Sequence, residues 1–192
     1  TGLHDITKLS VAGFGHLRGS YALLRSGAAL GRGCGPLLVA NPDFDPKLLQ
    51  TIPVAVPGMW TTARLLFGLY SPESVEPVPM RFDQIMPAIK KGGFAAGVII
   101  HEGRFTYPDY GLECLEDLGK WWENKTGLPI PLGVIAIRRT ISGKIAATIE
   151  SIIRESIEYS YKNPDQAIGY IRKHAQEFSP EVISRHIQLY VN

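Results

Sequence analysis

Cysteine is nearly absent from this 192-residue chain. Only Cys34 and Cys114 carry thiols, far apart and with no second Cys or His at metal-ligand spacing. That argues against a disulfide framework or a zinc site, and it fits a reducing, cytoplasmic setting in which both are buried thiols. An excess of one charge is missing too. The net charge is +2, and Lys90-Lys91 and Arg138-Arg139 are isolated basic pairs that read as solvated element ends. No aromatic residues interleave with basic ones, so no nucleic-acid surface is expected. No apolar run approaches bilayer length; the stretch around Gly97–Ile100 is strand-sized, so no membrane partner is expected either. A Gly-x-Ser-x-Gly elbow, a Walker loop and a His-Glu-x-x-His pair are all lacking, which removes the common hydrolase, NTPase and zinc-protease readings.

What remains is an ordinary globular composition, 45% apolar and 20% charged. The chain opens on Thr1 rather than Met, and its last helical pattern runs to Val191-Asn192 without a capping signal, so a trimmed chain is the expectation. A short extended stretch from His4 leads into a helix rich in small residues (Ala12, Gly13, Gly15), and Tyr21–Leu24 and Pro36–Ala40 are apolar strand candidates. Ile52–Val56 reads as a buried strand, broken by Pro57-Gly58 and followed by a helix over Thr61–Tyr70. Val75–Met80 is an edge-like strand because of its prolines. Asp83 is placed to cap a helix over Gln84–Lys91, with Pro87 near its first turn and Gly92 ending it. Ala95–Ile100 is a further buried strand. Strands alternating with helices in this way argue for parallel pairing.

After a strand over Pro131–Ile137 the pattern turns helical. Ile145, Ile149, Ile152, Ile153 and Ile157 share one face of a helix that Ser142 can cap. Asn163-Pro164-Asp165-Gln166 and Ser179-Pro180-Glu181 mark two more helix starts, the last carrying an apolar stripe of Val182, Ile183, Ile187, Tyr190 and Val191 that docks on the body of the fold. Two Gly/Pro-rich passages, Gly27–Pro36 and Gly127–Gly133, bracket the middle. They predict a chain that leaves one lobe, builds a second over 36–130, and returns. Residues 1–35 and 131–192 then share the first lobe. In such α/β folds a ligand sits at the carboxyl ends of parallel strands, in the crevice between lobes.

Two places there can carry chemistry. Val54–Thr62 is a strand, a tight turn and a helix start, whose free N–H groups and dipole point at the crevice. Thr61 and Thr62 add hydroxyls that either bind a polar ligand or cap the helix. His101-Glu102 follows the buried strand, where an imidazole is well placed to move protons near neutral pH; the alternative is a structural His bonded to a loop. His4, His16, His174 and His186 are read as structural. Gly31-Arg32-Gly33-Cys34-Gly35 lacks dinucleotide-fingerprint spacing and reads as a hinge strand, and Trp121-Trp122 is assigned to packing.

Taken in order, several stretches resemble one family: Thr7-Lys8-Leu9-Ser10, Leu24–Gly33, Val54–Gly58 with Thr61-Thr62-Ala63, Ile99-Ile100-His101-Glu102 with Arg104-Phe105-Thr106-Tyr107, Asp117–Trp122, Thr126–Gly133, and His174-Ala175-Gln176-Glu177 with Tyr190-Val191-Asn192. The family is that of the 1,4-dihydroxy-6-naphthoate synthases, menaquinone-pathway enzymes that act after futalosine has been cyclised, and the likeness runs almost end to end. It implies an α/β, two-lobed, periplasmic-binding-protein-like (type II) fold used for catalysis in the cytoplasm. The implied substrate is the small molecule cyclic dehypoxanthine futalosine, cleaved by a lyase reaction with no metal or organic cofactor. The family's proton-abstracting His matches His101, and its substrate-contacting segments match Lys8-Leu9-Ser10 and Thr62-Ala63. Family members carry an opening strand and polar loop before the segment matched by Ile6-Thr7-Lys8, and further helix after Asn192; the fold is expected to lack both. The rival readings are chorismate dehydratase, which shares fold and pathway, and a solute-binding protein that returns its ligand unchanged.

Overall fold

The computed structural model describes residues 3–71, 74–174 and 179–190. Two sheets organise the chain. The first is antiparallel throughout and centres on the long strand β9 (Ile130–Arg138). Strand β1 (Ile6–Ser10) runs along one edge of β9, while β2 (Tyr21–Leu23) and β3 (Ala29–Gly31) follow one another along the other. The second sheet has the order β6 (Pro77–Pro79), β5 (Val54–Val56), β7 (Ala96–Ile99), β4 (Leu37–Ala40), β8 (Glu113–Asp117).

The expectation of parallel pairing is corrected in part. β5 is parallel to β6 and to β7, and a helix joins each of these three strands to the next in sequence, but β4 is antiparallel to both β7 and β8. The helix-crossover argument holds for β5, β6 and β7, which helices join in succession, whereas β4 is entered directly from the first sheet.

Alternation along the second sheet's strands builds two cores. Leu38, Ala40, Val54, Val56, Ala96 and Val98 face one way, onto α2 (Thr62–Tyr70) and the start of α5 (Leu118–Thr126). Leu37, Val39, Ala55 and Ile99 face the other way, onto Ile85, Met86 and Ile89 of α3 (Phe82–Lys90). Gly97 is what lets α3 lie so close: a Cβ there would come within 2.6 Å of the Ile85 side chain. Helix α3 starts earlier than its sequence suggests. Arg81, not Asp83, is its N-cap; Asp83 sits in the first turn and accepts two hydrogen bonds from the Arg81 guanidinium, which lowers its pKa. Pro87 therefore falls in the helix interior rather than near its start.

Around the first sheet lie α1 (Val11–Leu17) and α6 (Gly143–Lys162), the latter capped by Ser142 accepting from the Ile145 amide. After α6 come α7 (Pro164–His174) and α8 (Pro180–Tyr190), which begin at the two expected start signals. A four-residue helix, α4 (Gly103–Thr106), follows β7. Ile183 of α8 is buried, and Leu189 packs on the second sheet's core. Ala175, Gln176, Glu177, Val191, Asn192 and the side chains of His186 and Tyr190 lie outside the described residues. The isoleucines of α6 do share a face, but Ile145 and Ile152 are exposed and the helix contains no buried residue.

Cys34 is buried and Cys114 is exposed, on edge strand β8, which corrects the expectation of two buried thiols; neither is in a disulfide. Trp122 packs on the core and donates to the Pro129 carbonyl, and Trp121 meets the Tyr70 ring edge-on. Among the described residues no helix is long and apolar enough to cross a membrane.

Candidate active site

One end of the second sheet collects the polar groups. β5, β7 and β8 finish there and β4 begins there, as the register Leu37 to Ile99 and Leu37 to Asp117 requires. Thr61, Thr62, Ile100, His101 and Pro36 are consequently brought to one edge. Opposite them stand the last residues of β1 and, paired with Ser10 in the register, Gly133 of β9. Between the sheets lies a cavity of about 430 Å³, in the size range of small-molecule sites. All of Lys8, Leu9, Ser10, Thr61, Thr62, Ala63 and His101 line it, so residues far apart in sequence share one space. Ala29, Cys34, Pro36, Ile100, Leu132 and Gly133 complete the lining. Several of these lie in stretches the family resemblance already marks, but nothing in their residue types alone pointed to a cavity.

His101 stands at the carboxyl end of β7, exposed, with its ring edge-on to Phe82 at 5.3 Å between centroids. Its φ is +57°, the one positive value on a non-glycine among the described residues. A side chain in the left-handed region costs about 1–3 kcal/mol and persists where the surroundings over-determine it. Histidine tolerates that region better than most residue types. The chain immediately turns back on itself: the Gly103 amide donates to the Ile100 carbonyl and the Arg104 amide to the His101 carbonyl.

The helix start after β5 resolves the two readings of its threonines differently. Thr61 caps α2, its hydroxyl accepting from the Arg64 amide at 3.1 Å and donating to the Gly58 carbonyl at 2.8 Å. Thr62 is buried and links the two sheets. Its amide donates to Ser10 Oγ at 2.7 Å, and its hydroxyl lies 2.9 Å from the same oxygen and within reach of the Pro131 and Leu132 carbonyls. The first amides of a helix have no partner inside it. Here Thr61, Thr62 and Arg64 find acceptors elsewhere, and among the described hydrogen bonds the Ala63 amide, in the cavity wall, has none.

Lys8 reaches across the wall and donates from Nζ to the Gly27 carbonyl at 2.7 Å. The residue as a whole is exposed, but its ammonium end is crowded, and this desolvation lowers its pKa. Burial raises the pKa of the Cys34 thiol, and the charge of Glu123 adds to the effect. Among the described residues no three His, Cys, Asp or Glu side chains gather as metal ligands would.

The stretch Gly31–Gly35, which joins the two sheets, is held by three hydrogen bonds. Glu123 accepts from the Gly33 amide at 2.7 Å, Arg32 donates to the Gly127 carbonyl at 2.7 Å, and Arg104 donates to the Gly35 carbonyl at 2.8 Å. A Cβ on Gly35 would collide with the backbone of Gly119 at the start of α5.

Comparison with known proteins agrees on a lineage. The chain matches a family model described as menaquinone biosynthesis over residues 1–192. It is 48% identical over 187 residues to a Thermus thermophilus protein named "1,4-dihydroxy-6-naphtoate synthase", covering 97% of this chain and 68% of that one. A Streptomyces coelicolor protein of the same name is 44% identical over 194 residues, with 98% and 68% covered. Protein AF1704 from Archaeoglobus fulgidus superposes with a TM-score of 0.91 at 40% identity, over 99% of this chain and 70% of that one. At the level of fold alone, the alkanesulfonate-binding protein SsuA from Xanthomonas axonopodis pv. citri superposes with a TM-score of 0.72 at 13% identity, covering 97% and 66%. The fold is thus the α/β, periplasmic-binding-protein-like type II fold, and the chain belongs to the menaquinone-biosynthesis family that includes these synthases.

Proposed function

We propose that this chain converts cyclic dehypoxanthine futalosine to 1,4-dihydroxy-6-naphthoate, as a carbon–carbon lyase in which His101 is the general base. The observation that carries this reading is the position of His101: it faces the same cavity as Lys8 and Ser10 of β1 and Thr62 and Ala63 at the start of α2. Forming an aromatic naphthoate from a saturated spiro precursor removes protons next to a carbonyl, so a positioned base is required, and a neutral imidazole serves near pH 7. The open Ala63 amide at the positive end of α2 and the Lys8 ammonium suit an anionic group of the substrate. In this reading residues 36–130 form one lobe and 1–35 with 131–192 the other, with the cavity at their junction. Two free thiols suit a cytoplasmic setting.

The test is incubation of the purified protein with cyclic dehypoxanthine futalosine and detection of the naphthoate. In the His101→Asn variant turnover falls by about a hundredfold or more while affinity changes little. Parental turnover in that variant removes His101 as the base. Tight binding without turnover by the parent protein favours a ligand-capturing role instead.

A further inference from the structure

We propose that Arg104 is the positioning residue for His101, acting by locking the turn that carries the imidazole onto the floor of the cavity; this rests on the reading of His101 as the base. The strained backbone of His101 needs something to hold it, because a left-handed non-glycine residue relaxes unless its flanks are fixed. On its N-terminal side the buried strand β7 does this. On its C-terminal side come the four residues of α4, with Gly103 and Thr106 buried, and a helix that short does not hold itself.

Arg104 ties this turn to the elements around it. Its amide donates to the His101 carbonyl at 3.3 Å, so its backbone is part of the His101 turn. Its guanidinium, only 17% exposed, reaches two fixed points: Nη1 donates to the Gly35 carbonyl at 2.8 Å, and Nη2 pairs with Asp117 Oδ2. Neither point can give way easily. Gly35 is packed against Gly119 and leads into Pro36 of the cavity wall. The other oxygen of Asp117 accepts from the Gly119 and Lys120 amides, each at 3.0 Å, as the N-cap of α5. One planar fork therefore ties the His101 turn to β4's entry, to β8's end and to the start of α5. A guanidinium can hold two acceptors in fixed directions, which an ammonium cannot.

The test compares the parent with Arg104→Lys, which keeps the charge and loses the fork, and with Asp117→Asn, which keeps a capping oxygen for α5 and loses the ion pair. In Arg104→Lys, kcat falls by about tenfold or more with KM little changed, and the acid limb of the kcat–pH profile is displaced, because misplacing a catalytic group by about 1 Å costs up to about a hundredfold. Asp117→Asn moves both in the same direction by less. Millimolar guanidinium ion partly restores kcat in Arg104→Ala. Calorimetric titration counts ligand sites per chain, and the count stays at the parental value. Parental kcat and pH profile in Arg104→Lys overturn the proposal, and so does a loss of kcat that merely tracks a loss of ligand sites, which is misfolding. If the parent itself does not turn this substrate over, the fault lies with the assigned reaction, and the imidazole NMR signal of His101, assigned by its absence in His101→Asn, decides about Arg104. A signal broadened or displaced in Arg104→Lys supports the proposal, and an unchanged one overturns it.

Discussion

Every residue of β4, β5 and β7 is buried, whereas no residue of β1 and none of α6 is. The second sheet is covered on both faces by helices, and its inner strands β4, β5 and β7 accordingly read as unbroken apolar runs. The first sheet is held differently. Its long helix α6 is tied at its flank by a polar contact, where Glu150 accepts from the Arg25 amide at 2.8 Å and from Arg25 Nε at 3.1 Å. The cavity lies where these two constructions meet. His101 grows out of the fully buried side, and Lys8 and Ser10 come from the lightly covered one.

The sharpest way to break this comparison is to remove the same side chain from each region. Ile89 is fully buried between α3 and the second sheet, so Ile89→Ala is expected to cost about 2–5 kcal/mol through lost transfer energy and a cavity. Ile152 on α6 is 59% exposed, so Ile152→Ala stays within about 0.5 kcal/mol. Urea unfolding of both variants checks this. Comparable losses would mean that the α6 face is covered in solution and that the contrast between the sheets is not real.

The same contrast explains what could be read in the sequence. The buried strands, the Thr61 and Ser142 caps and the starts of α7 and α8 were legible because each has a local cause: an apolar run, a capping oxygen, a proline at the first helical position. Strand β8 was not, since Glu113-Cys114-Leu115-Glu116-Asp117 is a charged edge strand whose pairing with β4 is set by the partner rather than by its own pattern. Helix α5 hid behind adjacent tryptophans, although Asp117 as its N-cap was an available signal. Strand β3 lies inside a glycine-rich passage and exists because β9 is long enough to pair with both it and β2. At the site, residue types and strand ends pointed to Thr61, Thr62 and His101, and the family resemblance added Lys8, Leu9, Ser10 and Ala63. The Ser10–Thr62 link, the Arg104 fork and the left-handed His101 are properties of three-dimensional closure, and no local pattern encodes them.

A smaller effect is expected where the two sheets touch. Ser10 Oγ accepts from the buried Thr62 amide at 2.7 Å, so Ser10→Ala leaves that amide without its acceptor and costs about 1–3 kcal/mol. Chemical denaturation measures this directly. An unchanged midpoint would show that Ser10 does not hold the sheets together in solution.

The smallest effect concerns Lys8, and its sign runs against ordinary intuition. Desolvation of the ammonium end places its pKa below the ordinary lysine value in the folded protein. Between the lowered pKa and the ordinary one, the unfolded chain binds more protons than the folded one, so stability rises with pH across that window. Below the window the charged ammonium is a net cost to folding. Lys8→Met is therefore expected to stabilise the protein slightly at neutral pH, by less than about 1 kcal/mol because the residue is largely exposed and screened, and the gain fades as pH rises to the ordinary lysine value. Urea midpoints of parent and variant, followed from neutral pH upward, read this out. A variant less stable than the parent at neutral pH would mean that the bond from Nζ to the Gly27 carbonyl outweighs desolvation. A more stable variant would mark Lys8 as a charge kept for a ligand, and the same variant is then expected to bind an anionic ligand more weakly while folding no worse.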